Sequence, residues 1–203
     1  MIFSSFNVNF LRASTVLLNG VFLAQFVGLV GTLYLAKIYG PTAFIQLAQF
    51  TSICTLFMSV ACLRYDVAVS IAGAITEQVR VLSIALIVAL FFSLTIFFLG
   101  LIYKLFEVSF DLSMMPSFFF LIPCSILFGA SIQALQGFLN RQGLYSLVSK
   151  VRIGQSLLLV MVPIISSYFI IDPIALIAGQ VISVAFACLI LIRFVIKQPN
   201  IDW

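Results

Sequence analysis

Arg64 and Asp66 flank Tyr65 inside a stretch, 43–76, that is otherwise almost wholly apolar or small. A charge in or beside hydrocarbon costs roughly 2.5–3.5 kcal/mol on insertion scales, so such residues usually face a protein interior or a wet cavity. One reading makes this pair the focus of a vestibule built by the surrounding helices. The other has Arg64 ending a helix and anchoring it among the headgroups. Arg141, Lys150 and Arg152 form a second cationic set, between apolar segments. Arginine meets phosphate oxygens through a planar fork and lysine as a point charge, so these three suit a lipid-linked pyrophosphate. They suit equally a role in setting topology and touching anionic headgroups.

Uncharged amides make up the third group. Gln46, Gln49 and Ser52 recur every three residues, and Gln133, Gln136 and Asn140 share one helical face. Gln25, Gln155 and Gln180 stand singly. Amides in lipid must find partners across helices or in water, which gives either a hydrated cavity suited to a sugar or glue between helices. Catalysis finds little support. Histidine is absent, and no nucleophile motif, phosphate loop or clustered carboxylate pair holds a place for Mg²⁺. Cys54, Cys62, Cys124 and Cys188 lie dispersed in apolar segments and read as small hydrophobes, so neither disulfide, metal nor cofactor is expected.

The elements that must carry these residues follow from composition. With 64% hydrophobic and 8% charged residues, far below the quarter usual in soluble domains, only a bilayer can solvate the exposed side chains. Six segments reach the spanning length of about 20 residues: 15–36, 43–63, 81–103, 116–137, 153–171 and 173–192. Backbone groups in lipid must be satisfied within the segment, so each is read as a helix. The expected fold is all-α: a cytoplasmic stretch 1–14, a six-helix membrane region 15–195, and a cytoplasmic tail 196–203. Tyr39-Gly40-Pro41 reads as a tight turn, and Asp172-Pro173 as the corner of an antiparallel hairpin. Pro123 and Pro163 are each expected to kink their helix. Small residues every fourth position, Gly20-Ala24-Gly28 and Ala175-Gly179-Ser183-Ala187, mark packing faces.

Charge sets the expected orientation. With the first residues inside, eight of the ten Lys and Arg fall on the inner side, leaving Lys37 and Lys104 outside, so both termini are placed in the cytoplasm. The cations bookend helices and form no dense block, which argues against nucleic acid as a partner.

The run Leu35-Ala36-Lys37-Ile38-Tyr39-Gly40-Pro41-Thr42-Ala43-Phe44, followed by Cys62-Leu63-Arg64-Tyr65-Asp66-Val67-Ala68-Val69, resembles the polysaccharide biosynthesis (Wzx-like O-antigen flippase) family. That family has a basic-x-Tyr-Gly-Pro turn after its first span and an Arg-Tyr-acidic motif after its second. Gln136 to Arg141 and Lys150-Val151-Arg152-Ile153-Gly154-Gln155-Ser156 look like its stretch joining spans four and five. Ile45 stands where the family commonly has Gly, and Ser70-Ile71-Ala72 replaces a frequent Leu-Pro step. The resemblance implies a multidrug/oligosaccharidyl-lipid/polysaccharide exporter fold, two six-helix lobes around a central cavity. Its members pass undecaprenyl-pyrophosphate-linked glycan across the bacterial inner membrane by alternating access. Its Arg-Tyr-acidic motif carries over to Arg64, Tyr65 and Asp66, and its loop cations to Arg141 and Arg152. Six spans amount to one such lobe, so a second lobe or a second copy is the expected partner, beside membrane lipids and the lipid-linked oligosaccharide. The competing expectation is a non-transporting membrane component that assembles with glycan-synthesis proteins.

Overall fold

A computed structural model describes residues 2–61, 65–105, 119–169 and 171–197, with side chains described for all of these except 2–14, 16, 65–66, 70 and 103–105. The order is α1 (Ile2–Ala61), α2 (Tyr65–Ile71), α3 (Ile75–Leu105), α4 (Leu121–Arg141), α5 (Tyr145–Ser167) and α6 (Pro173–Ile196), with no strand among the described residues. Five of these helices are long and apolar enough to cross a membrane, α1 through its stretch Leu17–Ala61. The protein is therefore an all-helical, membrane-embedded chain.

α1 is continuous by hydrogen bonding but not in direction. Gly40 has φ 73° and ψ 173°, outside helical space, and Pro41 follows. Forty-five residues of straight helix would reach roughly 68 Å, more than twice the hydrocarbon thickness of a bilayer. The contacts show that the chain turns back instead. In the first arm Gly20 meets Ser149 and Gly31 meets Val160, so that arm runs parallel to α5. In the second arm Cys54 meets Ser125 and Met58 meets Gly129, so that arm runs parallel to α4. α4 and α5 are antiparallel, since Gln136 and Arg152 bond across the loop between them. α3 opposes α4 (Ser93 to Pro123, Gly100 to Phe119), and α6 opposes α5 (Gly179 to Pro163, Gly154 to Phe186). The two arms of α1, then α3, α4, α5 and α6, thus alternate in direction.

Half or more of the most apolar stretch of α4 and α6 is buried, 56% and 50%, against 11% for α1. α4 and α6 form the centre, and the first arm of α1 is a wall leaning on α5. The alternation collects Arg80, Arg141, Lys150, Arg152, Arg193 and Lys197 toward one end of the bundle, the basic end, and leaves Lys37 at the other, the turn end.

Several expectations change here. Pro123 sits in the first turn of α4, where backbone N–H groups have no partner within the helix, so it starts that helix and kinks nothing. α5 begins at Tyr145, which puts Lys150 and Arg152 inside a helix and shortens the connection to 142–144, where Gly143 takes φ 77°. Gly20 packs closely on Ser149, but Gly28 faces open space and the next close approach is Gly31. A fourth-residue row drifts by about 40° per step, so by Gly28 it has rotated off α5, whereas eleven residues return to within about 20°. The second row behaves as expected, with Gly179 against Pro163 and Ser183 and Ala187 buried. Asp172 caps α6, accepting from the Ile174 N–H at 2.9 Å with Pro173 next to it. The short helix α2 was not anticipated.

Candidate functional site

Between its close approaches at Gly20 and Gly31, α1 stands away from the bundle and leaves a cleft of about 750 Å³. The spacing of polar residues along α5 builds one wall. Arg152, Gln155, Ser156 and Leu159 fall at i, i+3, i+4 and i+7, the repeat of a single helical face. α1 supplies Gln25 and Thr32 from the row beside its packing row, α4 supplies Gln136, and α6 supplies Gln180. Four glutamines from four helices and one arginine therefore share a cavity in a protein with 8% charged residues.

Gln136 accepts a hydrogen bond from the Arg152 Nη2 at 2.8 Å. Among the described residues no acidic side chain pairs with this guanidinium, and Arg152 lines the cleft. The hydroxyls are already used. Thr32 donates to the Leu29 carbonyl at 3.0 Å and Ser156 to the Ile153 carbonyl at 2.9 Å. What the cleft offers a ligand is one positive fork ringed by amides that both donate and accept.

Depth follows from the helix rise. Arg152 lies seven residues into α5, roughly 10 Å from its start, and Leu159 roughly 20 Å. The cleft thus runs from near the basic end to the middle of the bundle. Its outer lip is apolar: Phe22 and Phe26 stack at 6.4 Å and are 69% and 55% exposed. Beyond the cleft, toward the turn end, Tyr39 ties α1 to α5, its buried hydroxyl donating to the Pro163 carbonyl at 2.7 Å.

Of the residues singled out in the sequence, the fold brings Gln25, Gln136 and Arg152 together here. Gln155 and Gln180, noted as single amides, join them. Gln49 and Gln133 are exposed, Gln46 is half-buried, and none of the three lines the cleft. Arg141 and Lys150 are exposed at the basic end, outside it. Arg64 lies outside the described residues, as do Cys62 and the side chains of Tyr65 and Asp66. Among the described residues no three His, Cys, Asp or Glu side chains converge as metal ligands do.

No protein-family model matches the chain, and neither does any curated protein or solved structure.

Proposed function

We propose that this chain is one lobe of a lipid-linked oligosaccharide flippase of the Wzx-like type, which moves polyprenyl-pyrophosphate-linked sugars across a bacterial inner membrane. In this reading the arms of α1, 17–39 and 41–61, are two spans, six spans make the lobe, and the basic end faces the cytoplasm with both termini. A second lobe or second copy completes the passage.

One observation carries the proposal: Arg152, without an acidic partner among the described residues, is held by Gln136 in a cleft of about 750 Å³ whose other polar lining is mostly amide. A guanidinium reads phosphate oxygens and amides read sugar hydroxyls, and an exposed apolar lip suits a ligand whose tail stays in lipid. Charge-assisted hydrogen bonds contribute about 1.5–3 kcal/mol, so Arg152→Gln should weaken binding of a polyprenyl-pyrophosphate disaccharide by about 10- to 150-fold. The measurement is equilibrium binding to protein in nanodiscs, followed by flipping of the labelled lipid in proteoliposomes. Equal affinity of the wild type and Arg152→Gln would remove the cleft from substrate handling.

A further inference from the structure

A further cavity lies apart from the arginine–amide cleft. α3 and α6 both pack on α4, yet among the described residues they do not pack on each other. The gap between them is a groove of about 370 Å³ lined by Leu82, Leu86, Leu135, Ile192, Val195 and Ile196. Leu82, Leu135 and Val195 are each 1% exposed, so its deeper walls belong to the packed core. The groove is apolar throughout and sits toward the basic end.

Arg193 and Lys197 follow Ile192 and Ile196 by one residue each. On a helix that makes them the neighbouring row, about 100° round from the groove wall. Both are exposed, and among the described residues neither pairs with an acid. An apolar slot edged by two exposed cations has the form of a site for a chain with an anionic head.

Chemistry favours a lipid over a protein: the slot is lined wholly by aliphatic side chains, two exposed cations stand beside it, and hydrocarbon is the solvent around a membrane-embedded chain. A zwitterionic lipid would fill the slot equally well, so the charge row selects the head. We propose that the groove holds one acyl chain of an anionic diacyl phospholipid, with its phosphate at Arg193 and Lys197. This site is independent of the flippase reading.

The test is native mass spectrometry of the protein released from nanodiscs holding equal dioleoyl-phosphatidylglycerol and dioleoyl-phosphatidylcholine. The wild type should retain phosphatidylglycerol preferentially. Replacing both cations, Arg193→Gln with Lys197→Gln, should reduce that retention about 30-fold, since each cation near a membrane surface contributes about a fivefold factor. Ile192→Trp, or Leu86→Trp where the first does not give a monodisperse protein, should expel both lipids by filling the slot. Lys37→Gln, at the far end, should change nothing. Undiminished phosphatidylglycerol in a filled groove, or equal retention with and without the two cations, overturns the assignment. So does a dimer that groove-filling disperses, because the occupant would then be protein.

Discussion

Two glycines on the same arm of α1 should respond to the same substitution with opposite signs. Gly31 lies against Val160 so closely that an added Cβ would overlap both γ-methyls, whereas at Gly28 nothing stands within 4 Å of that position. Replacing Gly by Ala in a helix contributes up to about 1 kcal/mol through lost backbone freedom, and this gain is common to both sites. At Gly31 it competes with overpacking, which costs about 1–3 kcal/mol, and a β-branched valine cannot rotate out of the way without leaving its preferred rotamer. The expected net effect is stabilisation by up to about 1 kcal/mol for Gly28→Ala and destabilisation by about 1–2 kcal/mol for Gly31→Ala. For a chain of this size each kcal/mol moves the midpoint by about 2–4 °C, so the two variants should differ by several degrees. The assay is the temperature at which the monodisperse gel-filtration peak in detergent is half lost. Val160→Ala should partly rescue Gly31→Ala, non-additively, because it removes the two γ-methyls that the new methyl would overlap most and leaves only the Cβ close by. Shifts of the same sign at both glycines, or strict additivity with Val160→Ala, would mean that the first arm does not rest on α5 in this register.

The other predictions use the same assay. Gly40→Ala should destabilise by about 1–3 kcal/mol although space around it is open, because φ 73° with ψ 173° is a backbone region essentially confined to glycine, and Gly40→Asn should cost as much as Ala. Tyr39→Phe should cost about 1 kcal/mol through loss of the bond to the Pro163 carbonyl at 2.7 Å; an unchanged midpoint would show that this bond is absent. Asp172→Ala should cost about 0.5–2 kcal/mol, and Asp172→Asn far less, since both acid and amide oxygens accept from the Ile174 N–H.

What could be read from the residues beforehand is what local chemistry dictates. Composition forces helices into lipid, and Gly40-Pro41 and Asp172-Pro173 announce corners that the backbone bears out. The cleft was less legible, for a physical reason. Spacing along one helix says which residues share a face, not which helix that face meets. Gln46, Gln49 and Gln133 form regular rows yet lie outside the cleft, while Gln25, Gln155 and Gln180, each isolated in sequence, come together in it. Their assembly depends on the first arm packing parallel to α5, more than a hundred residues away. One local signal did exist: Arg152, Gln155 and Ser156 keep a helical repeat, which a loop at 150–152 had concealed.

Arg152 ties the site to the stability of the bundle. Arg152 is half-buried; taking a cation out of water without compensation costs up to several kcal/mol as burial deepens, and a single amide partner at 2.8 Å offsets only part of that. The remainder has to come from water or an anion admitted by the cleft, and the half-exposed glutamines around it are what keep such a space polar. Closing the first arm fully onto the bundle would therefore strand the charge. The glycine contacts at residues 20 and 31 pin that arm on either side of the opening and leave the stretch between them standing off, which holds the cleft open at the depth where the guanidinium needs a polar neighbour.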